Sequence, residues 1–332
     1  MSGPKWIVIL LSLVILFSGP VLSKAEERES TAYIDVAAAT LWTEPGLLRD
    51  LDAPSASHPV DLKNWTGSMS YEDKLWLVGN LETQALYGSR VTILEEKGDW
   101  VKVAAANQPT PRNSEGYPGW MPKKQLVYNR GFGQKLDRNF AIVTSPSAWL
   151  YKDQKQKKRF LELSFDTRLP VLQQKKDAIQ VMTPGAGAKW ISKMDASVYK
   201  NEDQIPVPAG ETIVETGEIF LGLPYLWAGM SGFGFDCSGF TYTVYHANGI
   251  TIPRDSSVQA VNGTPVNKED WQAGDLLFFG YDEGKGKIHH VGIYIGDGKM
   301  IHSPNSSTHV RIDEIAVSGY GNEYAGARRY IK

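Results

Sequence analysis

One cysteine, Cys237, occurs in the 332-residue chain, inside the run Asp236-Cys237-Ser238-Gly239-Phe240. A sole thiol excludes a disulfide within the chain and any multi-cysteine zinc or iron–sulfur site. It leaves a nucleophile or a small buried hydrophobe. Phe240, Val244 and Ala247 recur at helical spacing and Gly249 can end the helix. Asp236 suits the N-cap, so Cys237 falls in the first turn, at the positive end of the macrodipole. That field alone is too weak. A free thiol titrates near about 8.5, and lowering it by two units takes about 2.7 kcal/mol. A helix end supplies only about 0.3–1 kcal/mol. The ordinary remedy is a neighbouring imidazolium that holds the sulfur as a thiolate.

Histidines of the right kind follow. The run 289–296, His-His-Val-Gly-Ile-Tyr-Ile-Gly, alternates like a strand, Gly296-Asp297-Gly298 reads as a hairpin turn, and Met300-Ile301-His302-Ser303 forms the returning strand. Strict alternation puts His290 with Gly292 and Tyr294 on one face and His289 with Val291, Ile293 and Ile295 on the other. Gly292 leaves room for a helix to approach beside His290, which makes His290 the base. His302, on the paired strand, is placed to orient its ring. Three histidines would also suit zinc, but the opposed faces of His289 and His290 argue against a shared ion. We expect no metal and no cofactor. His246 and His309 carry no motif, and His58 sits in a Pro/Ser-rich loop.

Four segments in this third of the chain, "YLWAGMSGFGFDCSGF", "IPRDSSVQ", "AGDLLFF" and "HHVGIYIGDGKMIHSP", resemble the NlpC-type cysteine peptidases, papain-like enzymes that cut bacterial cell-wall peptides. The resemblance implies an α+β papain-like domain with the cysteine helix on an antiparallel sheet, and a triad of Cys237, His290 and His302. Together with the upstream repeats described below, the chain resembles the γ-D-glutamyl-L-diamino acid endopeptidases that act on murein stem peptides with a free N-terminal L-Ala. Recognising a free ammonium needs carboxylates and acceptors two residues upstream of the cut. By that resemblance Tyr117, Asp255 and Glu82 are assigned to the N-terminal alanine. Asp236, Ser238 and Ser256 are assigned to the D-Glu portion, and Tyr225 and Trp227 to the cleft wall near the sulfur. Asp236 has two compatible readings, helix cap and substrate contact. Tyr117 also suits a core or interface position, and Asp255 a surface pairing near Arg254.

Upstream, residues 88–128 and 166–199 read as two copies of one β-rich unit. Arg90-Val91-Thr92-Ile93-Leu94 aligns with Arg168-Leu169-Pro170-Val171-Leu172, Trp100-Val101-Lys102-Val103 with Ala178-Ile179-Gln180-Val181, and Gly119-Trp120 with Lys189-Trp190. Short strands and polar turns fit small barrels and resemble bacterial SH3-like domains of cell-wall proteins. Val103 and Trp120 are 17 positions apart where Val181 and Trp190 are 9, so the first copy holds eight extra residues, within 104–118. A further segment, 46–80, precedes that copy and carries a short helix near 71–77. Such insertions are surface loops, serving either binding or nothing.

Around these elements, 35 basic and 37 acidic residues leave a net charge of −2, which argues against nucleic acid as a partner. With 42% hydrophobic and 22% charged residues the composition is that of a globular protein. Lys5, the apolar run 6–17 and small residues around Ser23 and Ala25 read as a secretory signal peptide over residues 1–25, since spanning a bilayer takes about 20 apolar residues. The sequence thus predicts a multidomain chain. A signal peptide (1–25) precedes two all-β SH3-like barrels (26–130 and 131–204), and an α+β papain-like NlpC-type domain follows (205–332). The expected partner is murein peptide or peptidoglycan fragments, met by a secreted monomer that is soluble or loosely wall-associated and without a stable membrane span. Two alternatives stay open at this point: a lytic endopeptidase on intact peptidoglycan, and a non-catalytic wall-binding protein.

Overall fold

The computed structural model describes residue 3, residues 30–136 and residues 138–332, so the signal peptide expected over residues 1–25 lies outside the described residues. From there the chain forms three sheet-centred units.

The first holds β1 (Thr31–Ile34), β2 (Ala38–Trp42), β3 (Leu81–Leu86), β4 (Arg90–Lys97), β5 (Trp100–Ala105), β6 (Tyr117–Pro122) and β7 (Leu126–Val127), in the order β3-β2-β6-β5-β4-β1-β7. The second holds β8 (Phe140–Val143), β9 (Ser147–Tyr151), β10 (Arg159–Ser164), β11 (Arg168–Gln174), β12 (Ala178–Thr183), β13 (Gly187–Ser192) and β14 (Ala196–Tyr199). Its order, β10-β9-β13-β12-β11-β8-β14, is the same topology strand for strand. The repeat is therefore longer than its sequence signal, since each copy begins at a strand the alignment does not reach (β1 and β8). The segment 46–80 is not a lead-in but an insertion between β2 and β3. It carries α1 (Ala53–Ala56), α2 (Leu62–Ser68) and α3 (Tyr71–Trp76). Asp61 caps α2 through the Asn64 amide, and Ser70 with Asp73 forms a capping box on α3.

After α4 (Arg130–Leu136) between the barrels, α5 (Gly210–Glu218) opens the third unit, followed by a two-stranded ribbon of β15 (Met230–Ser231) and β16 (Gly234–Phe235). Its sheet is β17 (Thr264–Val266), β22 (Tyr324–Arg329), β18 (Leu276–Gly280), β19 (Ile288–Gly296), β20 (Lys299–His302) and β21 (Arg311–Glu314), in that order, with every pair antiparallel. The cysteine helix, α6 (Cys237–Ala247), lays Phe240 and Val244 on Val291, Ile293 and Ile301 of that sheet. Gly239 is required there. A Cβ on it would lie 2.0 Å from the Gly229 carbonyl oxygen, so only glycine lets the first turn of α6 seat on that loop.

Hydrophobic burial also crosses the unit boundaries. Trp42, Leu62, Trp65 and Trp120 of the first unit share one cluster with Leu226, Ala228 and Phe233 of the third. The insertion helices are thus interdomain packing rather than free loops.

Candidate active site

Cys237 is the first residue of α6, and Asp236 caps the helix by accepting from the Gly239 amide at 2.6 Å. The amides of Val291 and Ser238 donate towards the sulfur. That brings the sulfur to the backbone immediately after His290.

His290 is buried on β19, and its Nε2 lies 2.7 Å from His302 Nδ1. His302 Nε2 lies 3.0 Å from Asp313 Oδ2, and Arg311 holds the same oxygen from 2.8 and 3.0 Å. This chain fixes the tautomers. A carboxylate only accepts, so His302 carries its proton on Nε2 and accepts at Nδ1. His290 then donates from Nε2, which leaves the Nδ1 lone pair as the proton acceptor. Burial works against the Asp313 charge, but hydrogen bonds from Arg311 and His302 hold its carboxyl below the usual range. Asp313, Arg311 and Tyr320 were not found from sequence. Tyr320 lies parallel over the His290 ring with centroids 4.4 Å apart, and feels the charge of Cys237.

Two expectations about these rings change. The space at Gly292 serves a strand, not a helix: a Cβ there would lie 2.8 Å from the Met300 sulfur and 3.3 Å from His302 Cβ on β20. Strict alternation also fails at His289. Phe279 pairs with His290 and Gly280 with Ile288, so His289 sits in a bulge. Its ring lies tilted against Tyr281 with centroids 4.4 Å apart, and its Nε2 lies 3.1 Å from Glu323.

Cys237 is 9% exposed, and burial with the Asp236 charge pushes its thiol up to about 12, against Arg254 and the two amides. Burial, His302 and His289 hold His290 well below the ordinary imidazole value. Burial pushes His302 down to about 4, against Asp313. Burial is thus the first cause of each shift, and Arg254 with the two amides is what favours the thiolate.

Both Asp236 oxygens are taken by Arg254, Oδ2 at 2.7 Å and Oδ1 at 3.2 Å, and the Ser238 hydroxyl accepts from Arg254 Nη1 at 2.8 Å. Arg254 is 2% exposed and also donates from Nε to Thr83 of β3 at 3.1 Å. Asp236 and Ser238 are therefore committed to a buried network that ties the cysteine turn to the first barrel. Of the two compatible readings of Asp236, these contacts display the helix cap. Ser256 opens α7 (Ser256–Gln259) and is half-buried. Arg254, which the sequence offers only as a surface neighbour of Asp255, is instead the buried cation that holds this network.

Tyr225 is buried beside the sulfur; burial and the Cys237 charge push its phenol well up, so it remains an O–H donor. Trp227 is half-buried, and its indole N–H donates to the Leu81 carbonyl at 3.2 Å, which docks the start of β3 on the catalytic unit. Glu82 is the next residue. Trp42 pairs with Leu81 and Leu41 with Thr83, so Glu82 occupies a β-bulge, a device that re-aims a side chain. Its carboxylate takes both terminal nitrogens of Arg112, whose Nη1 also donates to the Tyr117 hydroxyl at 3.1 Å. Tyr117 donates in turn to the Asp255 carboxylate at 3.0 and 3.1 Å. Burial raises the Asp255 carboxyl, opposed by Arg254 and Tyr117. The three residues expected at an ammonium, two from the barrel and one from the catalytic unit, thus meet one peptide bond from Arg254 and its Asp236 partner. Among the described residues no group of three or more His, Cys, Asp or Glu is placed to hold a metal ion.

Comparison with known proteins matches the same plan. Residues 222–329 match the NlpC/P60 family, 143–199 the YKFC SH3b2 domain, and 79–126 the bacterial dipeptidyl-peptidase Sh3 domain. A Bacillus cereus protein named gamma-D-glutamyl-L-lysine dipeptidyl-peptidase is 53% identical over 97% of both chains. One of the same name from Bacillus subtilis is 40% identical over 88% of this chain and 96% of its own. The crystal structure of an NlpC/P60 family protein from Bacillus cereus superposes with a TM-score of 0.88 at 54% identity, covering 91% of this chain and all of the other. With a cysteine at a helix tip, a histidine relay on the facing sheet and two SH3b barrels ahead of them, the chain belongs to the NlpC/P60 family of cysteine peptidases.

Proposed function

We propose that this peptidase hydrolyses the γ-D-glutamyl–diamino acid bond of murein peptides that carry a free N-terminal L-Ala, releasing L-Ala-γ-D-Glu. The observation that carries this reading is the Tyr117–Asp255 contact. It joins a barrel hydroxyl to a carboxylate of the catalytic unit beside the cysteine turn. An anionic, hydrogen-bonding group beside the cysteine turn suits an ammonium. A glycan-blocked stem peptide has no charge to place there, which disfavours the lytic reading on intact peptidoglycan.

The thiol gives its proton to His290 Nδ1, and Sγ attacks the γ-carbonyl carbon of D-Glu to form the S–C bond. The Cys237 amide, at the start of α6, is the candidate donor to the oxyanion. His290 returns the proton to the leaving amine, whose departure leaves a thioester. It then takes a proton from water as the hydroxide adds to the thioester carbon; the C–S bond breaks, His290 returns that proton to Sγ, and the dipeptide leaves as its acid, which ionises in solvent. His302 and Asp313 are positioning residues: they keep Nε2 of His290 protonated and Nδ1 free.

Hydrolysis of a synthetic L-Ala-γ-D-Glu-diamino acid tripeptide tests the reading. Cys237→Ala should lower kcat by at least about 10³-fold, as loss of a nucleophile does; undiminished turnover by that variant would refute it. We also propose export, on the basic start and apolar run of residues 1–25, and action as a monomer. No described helix is long and apolar enough to cross a membrane.

A further inference from the structure

We infer that in the free enzyme the guanidinium of Arg112 occupies the seat of the substrate ammonium, so that binding exchanges one cation for another and Arg112 sets specificity. The inference rests on the ammonium subsite proposed above. Three observations point to it. Arg112 uses the acceptors an ammonium would need: both Glu82 oxygens and the Tyr117 oxygen, with its guanidinium carbon 5.1 Å from the Tyr117 ring centre. The anion is the fixed partner and the cation the movable one, for the Glu82 side chain is 14% exposed and that of Arg112 42%. Finally, Arg112 belongs to the stretch between β5 and β6 where the first barrel is eight residues longer than the second. The guanidinium thus arrives on a loop outside the strand framework.

Charge explains the consequence. Glu82 and Asp255 bring two negative charges, and Arg112 neutralises one. Asp255, which Arg112 reaches only through the Tyr117 hydroxyl, is left to draw in a second cation. An arriving ammonium can take over the Glu82 and Tyr117 acceptors while the guanidinium swings out to water. An acetylated or glycan-linked alanine offers no charge in exchange, and Arg112 stays in its way. The placeholder weakens binding of every ligand, and only a cationic one recovers the difference.

The experiment compares Arg112→Gln with the unaltered enzyme on the free and the N-acetylated tripeptide. If the seat is vacant only a fraction of the time, apparent affinity is reduced by that fraction. Removing the placeholder should then lower KM for the free tripeptide by about three- to tenfold, with the change carried by KM rather than kcat. Methylguanidinium at millimolar concentration should compete with the tripeptide in the variant and far less in the unaltered enzyme. A raised or unchanged KM in Arg112→Gln overturns the inference; a rise would make Arg112 a brace for Glu82 and Tyr117. Failure of the underlying subsite looks different: equal kcat/KM for free and acetylated tripeptide in the unaltered enzyme, insensitive to Glu82→Gln.

Discussion

The two barrels share one strand order and even one irregularity, yet they are put to different uses. In the first, Glu82 sits in the bulge between β2 and β3. In the second, the matching bulge between β9 and β10 holds Phe160, as Tyr151 pairs with Arg159 and Leu150 with Leu161. Tyr117 opens β6, where Gly187 opens β13. The turn before β4 contains Gly88, with φ +80°, and the turn before β11 contains Asp166, with φ +63°. The framework is constant, then, and the side chains at its special positions decide the role. The first barrel points acid and phenol into the cleft. The second turns Asp166 and Arg168 onto His246 at the far end of the cysteine helix.

The sharpest break of that comparison is Asp255→Asn, which removes the carboxylate charge to which the Tyr117 hydroxyl donates. Truncating one partner of a partly buried, charged hydrogen bond costs about 2–5 kcal/mol. We expect kcat/KM for the free tripeptide to fall by about 10²–10³-fold, with the acetylated peptide changed far less. Equal losses on the two substrates would mean that Asp255 holds the domain interface and binds no ammonium.

Next in size is the pH profile. A substrate α-ammonium loses its proton near about 8, so kcat/KM for the free tripeptide should fall about tenfold per unit above that pH. N-acetyl peptide should show no such limb. On the acid side the pair stays competent while His290 is neutral. Its lowered value keeps activity through pH 6.5 and moves the loss to lower pH, where protonation of Asp255 also removes the ammonium's counter-charge. Steady-state rates from pH 5 to 9 on both peptides check this. An acid limb at about 6.5 or above would mean that burial does not lower His290.

How legible the site was in sequence follows the same divide. Cys237, its cap and the hairpin bearing His290 and His302 were readable because capping, alternation and a Gly-Asp-Gly turn are local rules. Glu82 came from family resemblance alone: nothing local marks a bulge until its partner strand is known. Asp313 was hidden because the polar stretch after Ser303 masks β21, whose place beside β20 only tertiary pairing reveals. The electrostatics of Cys237 were legible only in part, because a helix end is a local feature whereas the burial that opposes the thiolate is a property of the assembled fold. The second barrel's first strands escaped the repeat alignment because β1 and β8 share topology but little sequence.

The smallest expected effect bears on the second barrel. Asp166 is buried, accepts from Arg168 at 3.3 Å and faces His246 Nδ1. Glu202 holds the other side of the guanidinium, so a neutral amide at 166 leaves Arg168 one anion. Asp166→Asn keeps the shape and an acceptor and loses only charge, so the cost should be about 1–2 kcal/mol, the range for a single weakened hydrogen bond. Thermal unfolding should register that loss while the free-to-acetylated ratio of kcat/KM stays the same. The reason is geometric: His246 lies in the last turn of α6 and Cys237 in its first, and the rigid helix between them is pinned by Phe240 and Val244. A changed ratio would mean that the second barrel tilts this helix and so reaches the site, and the division of labour between the two copies would fail.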